Sequence, residues 1–374
     1  MERPAPDAAE LIRNARRIAV KVGSSLLVDG DGVRKGWIES LGADLADQRA
    51  QGRELLLVSS GAVALGRGIL GRPTRLDAKQ AAAAIGQPLL MQAWQAAMSE
   101  AGIPTAQLLL TIEDTESRRR WLNARATLEV LLRHGALPVI NENDTVATEE
   151  IRYGDNDRLS ARVAQMARCE VLILLSDVDG LYTSDPAANP GAVHVSVATD
   201  LGEARAWASG SSGSGMGSGG MRTKLDAAWI AQQAGCATII ASGRDLHPLR
   251  RLMTGEGRST VVTAHGSPAG AYKQWIVGTL SPLGSVTIDD GAAKALGNGK
   301  SLLPAGVVAV SGDFAQGSCL AIGDTDGREI GRGIARYSSE EANRIVGLRA
   351  AEIAAKLGYS RGDELIHRDD LVLL

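Results

Sequence analysis

Short apolar runs alternate with amphipathic stretches from residue 16 to about residue 264. The runs, rich in Val, Ile and Leu, are RIAVKV, ELLLVSS, TAQLLL, ALPVIN, VLILLSD, ATIIAS and STVVTA. Helical patterns lie between them, over 35–51, 78–99, 117–133, 157–168 and 223–234. Continuous apolar runs indicate strands that are buried on both faces. Their alternation with helices predicts an α/β fold: an αβα sandwich around a mostly parallel central sheet.

The pattern changes after about residue 270. Short alternating runs, such as GSVTIDDGAAKAL, AGVVAVSGDF, GSCLAIGD and EIGRGIARY, are separated there by Gly, Asp and Asn turns. Short helices are predicted within 290–297 and 339–347. This pattern of short strands and turns predicts a small, strongly curved, β-barrel-like domain. We therefore predict a first domain over 1–264, a linker over 265–280 and a second domain over 281–374.

Composition narrows the class of protein. The chain has 374 residues, a formal net charge of -3 and 22% charged residues, which is ordinary for a globular protein. No apolar run approaches the ~18 residues of a membrane span, and the N-terminal 17 residues lack the apolar core of a secretory signal. Cys169, Cys236 and Cys319 are far apart and show no ligand spacing. We predict a cytoplasmic protein with reduced, buried thiols and no dedicated structural metal site.

Ligands of parallel sheets bind beyond the carboxyl ends of the strands, so the residues after each run are the first candidates. The first run ends in AVKVGSS, where Lys21 precedes Gly23 and Ser24. A glycine there lets backbone N–H groups approach a phosphate, although a solvated turn is the alternative. The second run ends in SSGAVALG, whose residues Ser60, Gly61 and Ala62 open a helix. They either expose donors to a ligand or permit close helix packing.

Two clusters of Asn and Asp follow later runs. Asn141 to Asp144 come after ALPVI, and Asp155 to Asp157 begin a helical pattern. Their carboxylates suit an ammonium group or a lysine, and their amides suit a carboxylate. Helix capping is the alternative for Asn156 and Asp157. Ser176 and Asp177 end the run VLILL, where nucleotide contact competes with a simple turn.

The stretch SGSSGSGMGSGGMRTK, residues 209–224, resembles a flexible tether at first sight. It lies inside the predicted α/β domain, and it ends with Lys224 in the first turn of a predicted helix. Glycine permits backbone conformations and close contacts that other residues do not. We predict a loop that closes over a triphosphate, with a disordered surface loop as the alternative.

Taken together, these motifs resemble the glutamate 5-kinase family of the amino acid kinase superfamily over nearly the whole chain. The resemblance rests on VKVGSS, SSGAVALG, LPVINENDTVAT, GDNDRLSA, SDVDGLYTSDP and GSGGMRTK, in that order. The C-terminal part is similar to the PUA domain of bacterial members. The resemblance implies MgATP-dependent phosphorylation of the side-chain carboxylate of L-glutamate to L-glutamyl 5-phosphate, the first step of proline biosynthesis.

Site roles are carried over by motif. Lys21 and Lys224 would bind the transferred phosphoryl group and the ATP phosphates, and Asp157 would orient both lysines. The glutamate site would comprise Ser60, Gly61, Ala62, Asn141, Asp144, Asp155 and Asn156. The ATP site would comprise Lys21, Gly23, Ser24, Ser176, Asp177, Ser218, Gly219, Gly220, Met221, Arg222, Thr223 and Lys224. Relatives often have Thr at the second residue of Gly23-Ser24-Ser25 and at Ser176, so only fine nucleotide contacts are in question. No Mg²⁺ ligand is predicted.

The resemblance also implies feedback inhibition by L-proline, a homo-oligomer (dimer or tetramer) and a partnership with glutamyl phosphate reductase. A related kinase acting on acetylglutamate, aspartate, carbamate or uridylate is the nearest alternative. An RNA-binding PUA protein is the alternative from another class. Residues 281–374 hold 10 Lys and Arg against 13 Asp and Glu, a net charge of 10 − 13 = -3, which disfavours RNA. A local basic patch of Arg328, Arg332 and Arg336 stays possible.

Overall fold

The computed structural model describes residues 6–30, 32–71, 74–147, 156–208, 220–279 and 281–374. It divides into two compact units, Met1–Pro268 and Ala269–Leu374. Within the described ranges, no helix is long and apolar enough to cross a membrane.

An eight-stranded sheet forms the centre of the first unit, in the order β10-β12-β11-β7-β1-β4-β6-β5. Neighbouring strands run parallel, except that β11 and β12 are antiparallel. Two short hairpins, β2 with β3 and β8 with β9, lie outside this sheet. The strands of the unit are β1 Arg17–Val22, β2 Val28–Asp29, β3 Gly32–Val33, β4 Glu54–Val58, β5 Thr105–Leu110, β6 Leu137–Glu142, β7 Val171–Ser176, β8 Leu181–Tyr182, β9 His194–Val195, β10 Val197–Ala198, β11 Ala237–Ser242 and β12 Ser259–Val262.

Helices cover both faces of the sheet, as the continuous apolar runs predict. Alternate residues of β1 enter two separate cores: Ile18, Val20 and Val22 enter one, and Ala19 enters the other. Helices α3 and α5 supply the first core, whereas α7, α8 and α10 supply the second. The helices of this part of the chain are α1 Ala8–Asn14, α2 Ser24–Leu27, α3 Lys35–Ala50, α4 Ala62–Leu70, α5 Leu76–Ser99, α6 Ile112–Glu116, α7 Arg118–Arg133, α8 Asn156–Met166, α9 Leu201–Ala208, α10 Met221–Gln233, α11 Pro248–Thr254 and α12 Pro268–Thr279.

Helices α4 and α5 cross with their backbones in contact. A Cβ atom added to Gly66 would lie 1.9 Å from the Ala82 carbonyl oxygen, and one added to Gly86 would lie 1.8 Å from that of Ala62. No larger side chain fits either position, so two glycines set the depth of this crossing. The contact holds the first turn of α4, which follows the carboxyl end of β4, against the middle of α5.

The second unit has its own five-stranded sheet, in the order β14-β13-β15-β16-β17, and its own apolar core. Strands β13 and β15 are parallel and the other pairs are antiparallel. Its elements are β13 Gly284–Ile288, α13 Asp290–Gly297, β14 Val307–Ser311, β15 Cys319–Gly323, β16 Glu329–Ile334, α14 Ser339–Ile345, α15 Ala350–Leu357 and β17 Leu371–Leu373, with 3₁₀ turns at Pro304–Gly306 and Arg368–Asp370.

The predicted fold class is confirmed: a mostly parallel α/β unit precedes a small strand-rich one. The segment predicted to be a linker, 265–280, contains helix α12, and the division between the units falls after Pro268. Tyr272 of this helix donates a hydrogen bond to Asp370 Oδ1 at 3.0 Å. That contact ties α12 to the C-terminal unit. The three cysteines are free and buried, as predicted.

Candidate active site

A buried carboxylate lies between two buried lysines at the carboxyl edge of the large sheet. Asp157 Oδ1 lies 2.5 Å from Lys21 Nζ, and Asp157 Oδ2 lies 3.3 Å from Lys224 Nζ. Asp157 is 0% exposed, and the two lysines are 5% and 4% exposed. Both oxygens of one carboxylate are therefore used to hold two ammonium groups near each other.

Side-chain periodicity explains how these residues meet. Lys21 lies two residues after Ala19 in β1, so it shares the sheet face that carries α8 and α10. Asp157 is the second residue of α8, and Lys224 lies in the first turn of α10. Both helices begin at the edge where β1 ends, which brings their first turns to Lys21.

The electrostatic state of this trio follows from burial and from the three charges. Burial opposes ionisation of Asp157, yet Lys21 and Lys224 hold its pKa below the usual value. Burial lowers the pKa of Lys21, and the charge of Lys224 lowers it further, against the attraction of Asp157. An additional anion between the lysines would relieve this repulsion, so the trio is suited to receive a phosphate group.

Thr223 completes the surroundings of Asp157. Its Oγ1 lies 2.9 Å from Asp157 Oδ2 and 2.9 Å from the Gly220 carbonyl oxygen. The hydroxyl has one proton, so it donates to one of these acceptors at a time. The contact joins the start of α10 to the start of α8.

Asn156 is the centre of a second polar group, beside the trio. Its Nδ2 lies 3.0 Å from the Ser59 carbonyl oxygen, 2.8 Å from Ser60 Oγ and 3.1 Å from Asn141 Oδ1, and these three acceptors share its two hydrogens. Because a backbone carbonyl only accepts, the amide orientation of Asn156 is determined. Its buried Oδ1 meets no hydrogen-bond donor within the described residues.

Asp144 follows β6 and is 8% exposed. Burial raises its pKa to about 6. Among the described residues no cation lies within ion-pairing distance of its carboxylate. Such a group has been desolvated without a compensating charge, which makes it a candidate partner for a ligand cation.

Backbone geometry at the end of β4 depends on one glycine. Gly61 has φ +101° and directly precedes helix α4, and an added Cβ would lie 3.3 Å from Val28 Cγ2. Other residues rarely adopt this left-handed conformation. Gly61 therefore lets the chain turn from Ser60, which contacts Asn156, into Ala62 and the first turn of α4.

The predicted nucleotide residues lie along the ends of β1 and β7. The Gly23 N–H donates to the Leu175 carbonyl at 3.2 Å, and Gly23 and Ser24 open helix α2. Ser176 is buried, and its Oγ accepts from the Val178 N–H at 3.3 Å. The charge of Asp177 acts on Lys21, which places Asp177 near the trio.

The remaining predicted residues vary in position. Gly220 precedes α10, Met221 is partly buried and Arg222 is exposed on its first turn. Asp155, Ser218 and Gly219 lie outside the described residues, as does most of the Gly- and Ser-rich stretch. Within the described part of the chain, no group of three His, Cys, Asp or Glu residues is arranged to hold a metal ion.

Sequence reasoning missed two polar residues of α5. Trp94 Nε1 donates to Ser59 Oγ at 3.1 Å, and Gln87 contacts Asn141. Both lie in an alanine-rich helix without a recognisable motif. Only their position on the buried side of α5 connects them to the site.

Comparisons with known proteins show the family to which the chain belongs. The amino acid kinase family matches residues 16–242, and the PUA domain matches residues 284–357. A glutamate 5-kinase of Caulobacter vibrioides (strain NA1000 / CB15N) is 56% identical over 366 residues, covering 96% of this chain and 97% of its own. A glutamate 5-kinase of Paramagnetospirillum magneticum is 52% identical over 363 residues, which are 96% of this chain and 98% of the relative. Among solved structures, the carbamate kinase from Giardia lamblia bound to AMP-PNP matches with a TM-score of 0.49 and 14% identity. The match covers 68% of this chain and 100% of that structure. The chain therefore belongs to the glutamate 5-kinase family of amino acid kinases and carries a PUA domain.

Proposed function

We propose that this protein transfers the γ-phosphoryl group of ATP to the side-chain carboxylate of L-glutamate. The observation that carries the proposal is the Asp157 carboxylate between Lys21 and Lys224, beside a separate polar group of Asn156, Ser60 and Asn141. A glutamate carboxylate oxygen forms a bond to the γ-phosphorus, and the bond from that phosphorus to the bridging oxygen of ADP breaks. The products are L-glutamyl 5-phosphate and ADP.

The chemistry requires positioning and charge neutralisation rather than a general base. A free carboxylate has a pKa of about 4.3, so the nucleophile is already ionised at neutral pH. The difficulty is that an anion must approach a polyanion, and phosphoryl transfer is catalysed largely by positioning and electrostatics. Lys21 and Lys224 supply two positive charges, and the Asp157 carboxylate holds the two ammonium groups close together in the absence of substrate.

The acceptor is held, in this proposal, by its ammonium group as well as its carboxylates. Asp144 offers a buried carboxylate, and Asn156 offers a buried Oδ1 that lacks a donor within the described residues. An amino acid ammonium group would satisfy both. Ser60, Gly61 and Ala62 at the start of α4 and Asn141 at the end of β6 supply the remaining surface, to which Asp155 is added from its motif.

ATP binds, in this proposal, between the ends of β1 and β7 and the start of α10. Gly23, Ser24, Ser176 and Asp177 line one side, and the segment from Ser218 through Gly219, Gly220, Met221, Arg222 and Thr223 to Lys224 covers the phosphates. Mg²⁺ arrives with ATP, held by phosphate oxygens and water. It neutralises phosphate charge when bound. Asp157 is a poor ligand for it, because both of its oxygens face lysines.

An N-acetylated acceptor is disfavoured by the same residues. Acetylation removes the ammonium charge and would leave Asp144 buried without a partner. Aspartate has one methylene fewer, so its side-chain carboxylate would fall short of the lysines when its ammonium group is held. The proposed specificity is therefore for L-glutamate.

Family membership supports further proposals about regulation and partners. We propose that the reaction opens proline biosynthesis and that L-proline inhibits it at or overlapping the glutamate site. The same basis supports a cytoplasmic homo-oligomer, a dimer or tetramer, and a partnership with glutamyl phosphate reductase, since the acyl phosphate product is labile. Sedimentation and a proline titration of the initial rate test the oligomer and the inhibition.

The decisive experiment measures ADP release from MgATP with L-glutamate, N-acetyl-L-glutamate and L-aspartate in parallel. Wild type and Lys224→Ala are compared, and Lys294→Ala at the exposed end of α13 serves as a control for loss of a lysine. Turnover with L-glutamate alone, lost in Lys224→Ala and kept in Lys294→Ala, is the expected result. Turnover with another acceptor would change the assigned substrate, and no turnover with any of the three would contradict the kinase assignment.

A further inference from the structure

Gln87 lies in the middle of α5 and is 8% exposed, outside every motif that identifies the family. Its Nε2 donates to the Glu142 backbone carbonyl at 3.2 Å, and its Oε1 accepts from Asn141 Nδ2 at 3.3 Å. Gln107 Nε2 also reaches this Oε1, at 3.4 Å. The side chain therefore uses both ends of its amide to contact the segment that ends β6.

The orientation of this amide is determined by chemistry. The Glu142 carbonyl only accepts hydrogen bonds, so Gln87 must turn its Nε2 towards it and its Oε1 towards Asn141. Asn141 must then present its Nδ2 to Gln87. Its Oδ1 is left to face the other way, where it accepts from the Glu142 N–H at 2.9 Å and from Asn156 Nδ2 at 3.1 Å.

The same chain of amides ends on a second backbone carbonyl. Asn156 Nδ2 donates to Asn141 Oδ1 and also to the Ser59 carbonyl at 3.0 Å. The amides of Asn156, Asn141 and Gln87 thus donate one to the next towards the Glu142 carbonyl, and the Ser59 carbonyl accepts from the same Nδ2 of Asn156. Both acceptors require the Asn156 Nδ2 on the same side, so its Oδ1 faces the other way.

Gln87 is next to the closest contact between α4 and α5. Gly86, the preceding residue, lies against the Ala62 backbone at the α4–α5 crossing. The backbone that carries Gln87 is therefore packed directly against the first turn of α4.

We propose that Gln87 is a positioning residue for the acceptor: it anchors the amide of Asn141, which together with the Ser59 carbonyl holds the amide of Asn156 so that the Asn156 oxygen faces the ammonium group of the substrate. The inference rests on the proposed function, and it adds a residue that contacts neither substrate nor nucleotide. Loss of one amide from this buried row removes about one hydrogen bond from the substrate-bound state. This corresponds to a roughly five- to tenfold change in affinity for L-glutamate.

The test compares Gln87→Met, which keeps the length of the side chain and removes its polarity, with Gln92→Met on the exposed side of the same helix. Initial rates are measured against L-glutamate and against ATP, together with thermal unfolding. The expected result for Gln87→Met is a KM for L-glutamate raised about five- to tenfold, with kcat and the KM for ATP within about twofold of wild type. Gln92→Met should match wild type in kcat and in the KM values for L-glutamate and ATP.

Gln87→Glu is the second variant, in case Gln87→Met does not fold. At pH 8 it keeps the shape of glutamine but replaces the donor to the Glu142 carbonyl with an oxygen. It should raise the KM for L-glutamate in the same direction.

The outcomes distinguish failure of the role proposed for Gln87 from failure of the proposed function. A lowered unfolding temperature with an unchanged KM for L-glutamate would overturn the proposal and leave Gln87 a packing residue. A fall in kcat with unchanged KM would overturn it as well. Absence of L-glutamate turnover in wild type would overturn the proposed function, and the inference with it.

Discussion

The buried carboxylates of Asp144 and Asp157 differ in their partners, and this difference assigns them different tasks. Asp157 has a lowered pKa because two lysines compensate its burial. Asp144 has a pKa raised to about 6 because burial is not compensated within the described residues. A carboxylate already paired serves to organise lysines, whereas an unpaired one is available for a ligand cation.

The raised pKa of Asp144 predicts how acceptor binding depends on pH. Below about pH 6 the carboxyl is protonated and attracts an ammonium group only weakly; above it, the ion pair forms. The KM for L-glutamate should therefore rise as the pH falls from 7 to 5, while the KM for ATP changes less. The ammonium group of glutamate does not titrate in this window. Initial rates over a range of L-glutamate concentrations at each pH measure the effect.

Asp144→Asn is the variant that checks the assignment. It should raise the KM for L-glutamate by about tenfold or more at pH 8, since an ion pair and its hydrogen bonds are lost, and it should abolish the rise between pH 7 and 5. Asp226→Asn, which removes one partner of a half-buried ion pair with Arg205, is the control for loss of a carboxylate. A pH dependence that persists in Asp144→Asn would assign it to another group.

At the scale of elements, the crossing of α4 and α5 is the contact on which the acceptor side depends. Helix α4 begins directly after Ser60 and Gly61, and α5 carries Gln87 and Trp94. Gly66 and Gly86 allow the two backbones to touch. Glycine is unfavourable inside a helix, so its presence at both contact points has a reason in packing.

Gly86→Ala should destabilise the protein despite the better helix propensity of alanine. Propensity favours alanine by about 1 kcal/mol, but the added Cβ would meet the Ala62 carbonyl at 1.8 Å. Overpacking of this kind costs about 1–3 kcal/mol, so the midpoint of urea unfolding should fall and the KM for L-glutamate should rise.

Gly36→Ala is the matched control for Gly86→Ala. Gly36 lies in α3, and no atom would lie within 4 Å of its added Cβ. This variant should be as stable as wild type or slightly more so. If Gly86→Ala unfolds at the same urea concentration as Gly36→Ala, the close crossing does not constrain α5.

At the scale of the whole molecule, two units each bury their own apolar core. In the C-terminal unit, Val286, Leu320 and Tyr337 belong to a core that is fully buried among residues of that unit. Of the basic patch suggested by the sequence, Arg332 lies 2.7 Å from Glu329, and Arg336 lies 3.3 Å from Glu364. Two of its three positive charges are thus offset by neighbouring carboxylates.

The C-terminal unit, Ala269–Leu374, should therefore fold by itself and bind RNA weakly. A cooperative thermal transition by circular dichroism is the expected sign of folding, because its core is self-contained. Fluorescence anisotropy with a labelled RNA hairpin at about 150 mM salt should show no tight binding, since affinity for nucleic acid depends on phosphate neutralisation. Tight binding that weakens with salt would contradict this and favour an RNA-directed role.

The sequence by itself determined the layers of the fold and most of the residues of the candidate site. Apolar runs such as VLILLS predict strands buried on both faces, because every residue of such a strand must find an apolar neighbour, and β7 is buried throughout. Ligands of parallel sheets bind beyond the carboxyl ends of the strands, which points to Lys21 and Asn141 as site residues. Both can be found from the local sequence alone. The short hairpins have no run of this kind, and the run STVVTA predicts β12 but not its antiparallel direction.

Only the tertiary structure decided which of these residues meet. Gln87 is separated from Asn141 by 54 positions, and Lys21 is farther still from Asp157, so no local pattern encodes either contact. A glutamine in an alanine-rich helix has the same propensity whether it faces solvent or a buried amide. The physical reason is that a side chain's chemistry is local, whereas burial, pairing and pKa depend on what the fold packs against it.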